Sequence, residues 1–205
     1  MTVAIITTGL KEFAKFFEDL PELATQAAYL AINDTSRDTV PLLKAKMRAQ
    51  INFPKEYLNA QRLSIKRKAN RTSLEAVISG RDRPTSLARF APGATRENTA
   101  VKGRPGRPIF VTVKTGKQVK LDRSFLVKLK NGNMGLAIRL PPGQTPDRAY
   151  KPLELTRGGR STGAWLLYGP SVDQVMQGVV PETTGSVQDM LSKNFLRQFS
   201  RVSRG

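Results

Sequence analysis

Lys66, Arg67, Lys68 and Arg71 put four cations into six residues, and a second basic run, Lys102, Arg104 and Arg107, follows in a Gly- and Pro-rich stretch. Clustered ammonium and guanidinium groups suit the binding of polyanions, because each can neutralise a phosphate or carboxylate and release its counterions. Groups for bond-making chemistry are scarce around them. Cys and His are both absent, which excludes thiolate or imidazole metal ligands, a Cys nucleophile, a Ser-His-Asp triad and disulfides. The acids Asp82, Asp122, Asp147 and Glu154 each stand alone between cations and read as salt-bridge partners, whereas two-metal hydrolysis needs several convergent carboxylates. Gly103-Arg104-Pro105-Gly106 lacks the Gly-Lys-Ser/Thr ending and the strand-loop-helix context of a phosphate-cradling loop, and Gly158-Gly159-Arg160 has no helix to follow it. The expectation is a non-catalytic chain without metal or cofactor. A metal-dependent nuclease is the weakest alternative.

The 205 residues carry 34 Lys+Arg against 16 Asp+Glu, a net +18, and the excess is segregated. Residues 59–160 hold 23 basic and six acidic residues, a net +17, while 1–58 are balanced at seven each and 161–205 hold four against three. Such segregation points to a surface facing nucleic acid or an acidic partner. Aromatic interleaving is thin, since only Phe90 and Phe110 flank the second basic run and the single Trp lies far off. No zinc finger, basic zipper or helix-turn-helix is evident. Contact with DNA is therefore expected through its backbone without base reading. With 39% apolar residues in periodic blocks the chain is not disordered throughout. No apolar run approaches the roughly 20 residues of a membrane span, and Lys11, Glu12, Glu18 and Asp19 interrupt any signal-peptide pattern. The lack of Cys suits a reducing cytoplasm.

The elements that must carry these groups are legible in outline. Leu10, Phe13, Phe16, Phe17 and Leu20 recur at helical spacing, and an Ala-rich helix follows Pro21 with Leu23, Ala27, Leu30 and Ala31 on one stripe. Pro41 is expected to kink or restart that helix, which then runs to about Asn52, and Pro54 to open a short helical turn through Asn59. From Leu63 the period becomes two. Leu63, Ile65 and Arg67, then Leu74, Ala76 and Ile78, predict a hairpin closed at Asn70-Arg71-Thr72. Residues 80–107 read as a long loop or extended arm, ordered in an assembly. Ile109–Val113 predicts a strand before a turn at Lys114-Thr115-Gly116-Lys117, and Asn131-Gly132-Asn133 a hairpin between Ser124–Lys130 and Met134–Leu140. Trp165–Tyr168 is a short apolar run. Gly169-Pro170-Ser171 reads as a turn and helix start, and Thr183–Val202 as an amphipathic helix capped near Thr183 or Thr184. The fold class is α+β: N-terminal helices over 1–60, a mostly antiparallel, basic β-rich core over 61–180, and a C-terminal helix over 181–205, integrated into one domain with appendages. There is no internal repeat and no sustained heptad.

Lys151-Pro152-Leu153-Glu154-Leu155, followed after an insertion by Leu167-Tyr168-Gly169-Pro170-Ser171-Val172-Asp173-Gln174-Val175-Met176, resembles a segment of the tailed-phage minor tail protein Z family, the tail completion proteins. The strand pair that precedes this segment in the family looks like Phe125, Leu129, Asn131-Gly132, Gly135 and Arg139 here. Ala31-Ile32-Asn33-Asp34-Thr35 is similar to the end of the family's Ala-rich helix. Asp173 stands where Pro is common, and Thr156–Ala164 interrupts a link that is usually short. The resemblance implies a virion structural protein at the head-proximal end of the tail, assembled in the host cytoplasm. It would help form the head-tail connection and the DNA passage as a cyclic homo-oligomer, sixfold by analogy. The partners implied are a tail terminator, tail tube, connector or tape measure, with packaged duplex DNA or acidic subunits against the basic segment. Tyr168, Gly169, Pro170, Ser171 and Val172 are the candidate subunit interface. Lys66–Arg71 and Arg104–Arg107 remain alternative linings of the channel. The competing expectation is a sequence-independent nucleic-acid-binding protein acting outside a particle.

Overall fold

A computed structural model of the chain describes residues 3–5, 14–94, 108–122, 124–141, 151–152, 156–157, 160–161 and 163–204. The fold is α+β, and the chain divides into two compact units, each built from separated stretches. The first comprises Met1–Arg48, Glu56–Asp82 and Ser171–Gly205; the second comprises Ala49–Lys55 and Arg83–Pro170.

Among the described residues the first unit holds three helices, α1 (Ala14–Asp19), α2 (Pro21–Gln50, whose last two residues are counted with the second unit) and α3 (Val172–Val202), and a sheet of β1 (Val3–Ile5), β2 (Leu63–Arg67) and β3 (Val77–Gly80) in the order β1-β3-β2. Pro21 begins α2, where its missing N–H costs nothing, and Glu22 complements the helix dipole. Ala24, Ala27, Ala28 and Ala31 are fully buried; small side chains at this spacing let another element approach the backbone closely. Pro41 does not break α2 as expected. It is exposed, so the Arg37 carbonyl that loses its donor lies on the solvent side and water can satisfy it.

The long C-terminal helix also begins earlier than expected. Ser171 is its N-cap: Ser171 Oγ accepts from the Gln174 N–H at 3.0 Å while Gln174 Oε1 accepts from the Ser171 N–H at 3.0 Å. This capping box satisfies two orphan donors and fixes the start. Thr183 and Thr184 therefore lie inside the helix, just beyond an exposed Pro181, where their hydroxyls donate to the carbonyls of Val179 and Val180. The two long helices are tied by Asn194, whose Nδ2 donates to Thr35 Oγ1 at 3.0 Å, and by Arg197, which reaches Asp34 at 2.8 Å. Phe16 of α1 meets Phe199 edge-on at 4.7 Å and Phe195 at 5.9 Å. Gly80 passes so close to α3 that a Cβ there would lie 2.8 Å from Asp173 Cα.

Among the described residues the second unit contains ten short strands in four small antiparallel sheets. They are β4 (Thr85–Ser86), β5 (Ile109–Val111), β6 (Val119–Leu121), β7 (Ser124–Lys128), β8 (Met134–Arg139), β9 (Lys151–Pro152), β10 (Thr156–Arg157), β11 (Arg160–Ser161), β12 (Ala164–Leu166) and β13 (Tyr168–Gly169). The largest sheet has the order β7-β8-β12-β9; β5 pairs with β6, β10 with β11 and β13 with β4. The predicted turns are present. Gly132 takes φ +80° between β7 and β8 and Gly116 φ +76° between β5 and β6, the left-handed region that a Cβ disfavours.

Three further expectations are corrected. The stretch after Pro54 forms non-helical turns that bury Tyr57 and Leu58. The second strand of the first hairpin starts at Val77 rather than Leu74. Residues 80–94 of the expected arm are ordered, because Leu87 and Phe90 sit on a 3-10 turn (Leu87–Phe90) with both side chains buried, and Phe53 packs 5.8 Å from the Phe90 ring. Residues 95–107, and with them Lys102, Arg104 and Arg107, lie outside the described residues.

Candidate polyanion interface

The basic run of the first unit is held by a short set of polar contacts. β2 and β3 pair antiparallel with Ser64 opposite Ser79 and Ile65 opposite Ile78, and a bulge then sets Lys66 and Arg67 together against Val77. The turn is closed by backbone bonds between Asn70 and Ser73 and by the Asn70 side chain. Asn70 Oδ1 accepts from the Thr72 N–H (2.9 Å), the Thr72 hydroxyl (2.8 Å) and the Ser73 N–H (2.8 Å), an arrangement that suits Asn at a turn start. Between strand and turn, Ala69 is clamped from α2: Asn33 Nδ2 donates to the Ala69 carbonyl and Asn33 Oδ1 accepts from its N–H, each at 2.9 Å. Asn33 thus fixes the backbone in the middle of the four cations, a role its sequence context gave no way to read.

The four cations meet different surroundings. Arg67 is neutralised by Glu75. Arg71 lines a shallow concavity of about 420 Å³ with Pro21, Glu22, Leu23, Thr25 and Gln26. Lys68 is exposed. Lys66 is exposed and borders a second concavity, of about 290 Å³, together with Arg62 and Arg81, two cations that lie outside the dense sequence run. Spacing in the chain could not have gathered them, since Arg62 and Arg81 become neighbours only through the hairpin register, in which the Arg81 N–H donates to the Arg62 carbonyl at 2.8 Å.

The candidate interface segment is divided between the units. In the second unit, Tyr168 and Gly169 form β13, opposite Ser86 and Thr85, and are half-buried, as is Pro170; a Cβ on Gly169 would lie 3.2 Å from the Phe90 ring. In the first unit, Ser171 and Val172 are each 1% exposed at the head of α3, so their side chains serve the chain's own packing. Among the described residues no group of three or more acids is placed to hold a metal ion, and no helix is long and apolar enough to cross a membrane. The chain matches no family model, no curated protein and no solved structure.

Proposed function

We propose that the chain is a structural virion protein of a tailed phage that completes the head-proximal end of the tail, helps form the head-tail connection and lets DNA pass. It acts without catalysis, as a cyclic oligomer in contact with tail and connector subunits. One observation carries the reading. Two of the segments that resemble the tail completion family organise the first unit: Asn33 and Thr35 anchor the basic hairpin and α3, and Ser171 with Gln174 starts α3. A motif whose residues hold a basic surface in place suits a part that surrounds nucleic acid in an assembly.

Complementation tests this. Added to tails assembled without it, the purified chain is expected to associate with them and restore joining to filled heads. The second reading, a nucleic-acid-binding protein acting outside a particle, draws on the exposure of Lys66, Lys68 and Arg71. It would replace the first if the chain bound free duplex tightly near physiological salt and never associated with tails.

A further inference from the structure

We infer that the outer face of the β2–β3 hairpin is a binding platform for the phosphodiester backbone of a nucleic-acid duplex, with Arg62, Lys66 and Arg81 as its cations and Ser64 and Ser79 as its hydroxyl donors. This rests on the polyanion-facing part of the reading above and assigns it to one face.

Alternation along a strand sends every second side chain to the same side. Leu63, Ile78 and Gly80 are buried on the inner face, so Arg62 and Ser64 on one strand and Ser79 and Arg81 on the other point outward together. Lys66, two residues beyond Ser64, falls on that side by the same alternation. These five residues line one concavity with Gln61, Gly80 and Asp82. Lys66 and Arg81 make no ion pair with a described residue, so three cations face a single carboxylate, Asp82. Glu75 removes only the charge of Arg67, at the far end of the face.

Arg62 is preorganised for the role. Its guanidinium lies 4.3 Å over the Tyr57 ring and donates through Nη1 to the Tyr57 carbonyl at 3.2 Å, while its buried Nε has no partner among the described residues. A guanidinium held this way keeps its charge in one orientation, so less freedom is lost on meeting a phosphate than with an ammonium on a flexible stem.

The lining decides the ligand class. An acidic peptide is normally recognised with apolar pockets for alternate side chains, and among the described residues no large apolar side chain lines this concavity. Single strands are held by stacking on aromatic rings, and Tyr57 is already covered by Arg62. What remains is charge and hydroxyls, the chemistry of backbone contact to a duplex.

The test is fluorescence anisotropy with a short labelled duplex DNA. K66Q/R81Q is compared with K46Q/K193Q, which makes the same charge change at exposed positions on α2 and α3. The platform variant is expected to bind roughly tenfold more weakly, and the control to bind nearly as the full chain does. Ser64→Glu, which places a carboxylate on the face while keeping every cation, is expected to give the same loss with an unchanged melting temperature. Equal weakening by K66Q/R81Q and K46Q/K193Q overturns the platform and leaves a diffuse polyanion surface. No binding by the unsubstituted chain overturns both. Displacement of the duplex by polyglutamate as readily as by unlabelled duplex overturns the phosphodiester assignment in favour of an acidic protein. Displacement by inorganic phosphate at equal phosphate concentration overturns the duplex in favour of an isolated oxyanion.

Discussion

Two antiparallel hairpins of the same chain, β2–β3 in the first unit and β7–β8 in the second, use similar residues to opposite effect. Both are basic, and both turn at an Asn. In β2–β3 alternation and register turn Arg62, Lys66 and Arg81 to a single outer face, and Asn33 and Asn70 fix the backbone beside them. In β7–β8, Lys128 pairs with Met134 near the turn and Arg139 lies at the far end. Alternation puts these two on opposite faces, and Arg139 sits 5.3 Å over the Phe125 ring. The cations are therefore gathered on one face of the first hairpin and divided between the faces of the second. Register, which composition does not encode, makes the difference.

Glycine substitutions separate the two hairpins most sharply. Gly80→Ala would drive a Cβ into the backbone of Asp173, which cannot yield without moving α3; a loss of about 2–3 kcal/mol in urea unfolding is expected. Gly135→Ala in β8 would meet the ends of Leu166 and Leu129 instead, flexible groups that can turn aside, for about 1 kcal/mol or less. Equal losses would mean that the first hairpin is no more tightly framed than the second. Next comes Asn33→Ala, which leaves the N–H and carbonyl of Ala69 without their partners and should cost about 2 kcal/mol, with faster hydrogen exchange at Ala69 and through the turn. Unchanged exchange there would remove Asn33 from the account. In β7–β8 the turn is closed by Asn131 Oδ1, which accepts from the Asn133 N–H at 3.1 Å, and by its backbone conformation, so Gly132→Ala, at φ +80°, is expected to cost about 1–2 kcal/mol and to leave exchange in β2–β3 untouched. An effect as small as that of Gly135→Ala is expected from Ser171→Ala, which removes half of the capping box for about 1 kcal/mol, seen as fraying of the first turn of α3 by hydrogen exchange.

Local signals made much of the fold legible. Asn131-Gly132, the polar turn around Asn70 and the alternation from Leu63 all report short-range geometry, and the elements follow them. The misses were cases where a strong local signal met a tolerant environment. Pro41 reads as a break or restart, yet it is exposed within an unbroken helix. Gly169-Pro170-Ser171 reads as a helix start and Thr183 as a separate cap, yet a single helix runs from the first through the second. In 80–94 the density of Pro, Gly and Arg hid two apolar residues, Leu87 and Phe90, that pack inward. For the candidate site, Lys66 was legible from its neighbours, but Arg62 and Arg81 were not, because strand pairing alone brings them beside it. Nor could the sequence tell that Glu75 would neutralise Arg67.

The salt dependence of duplex binding tests most directly whether concentrated rather than total charge meets the polyanion. Removing a cation that neutralises one phosphate lowers the slope of log K against log salt by about 0.9. K66Q/R81Q is predicted to lower it by about two, and K128Q/K130Q, an equal change of charge around the turn of β7–β8, to leave it where the unsubstituted chain has it. Equal reductions in slope for the two variants would contradict the account and return the basic half of the chain to an undifferentiated field.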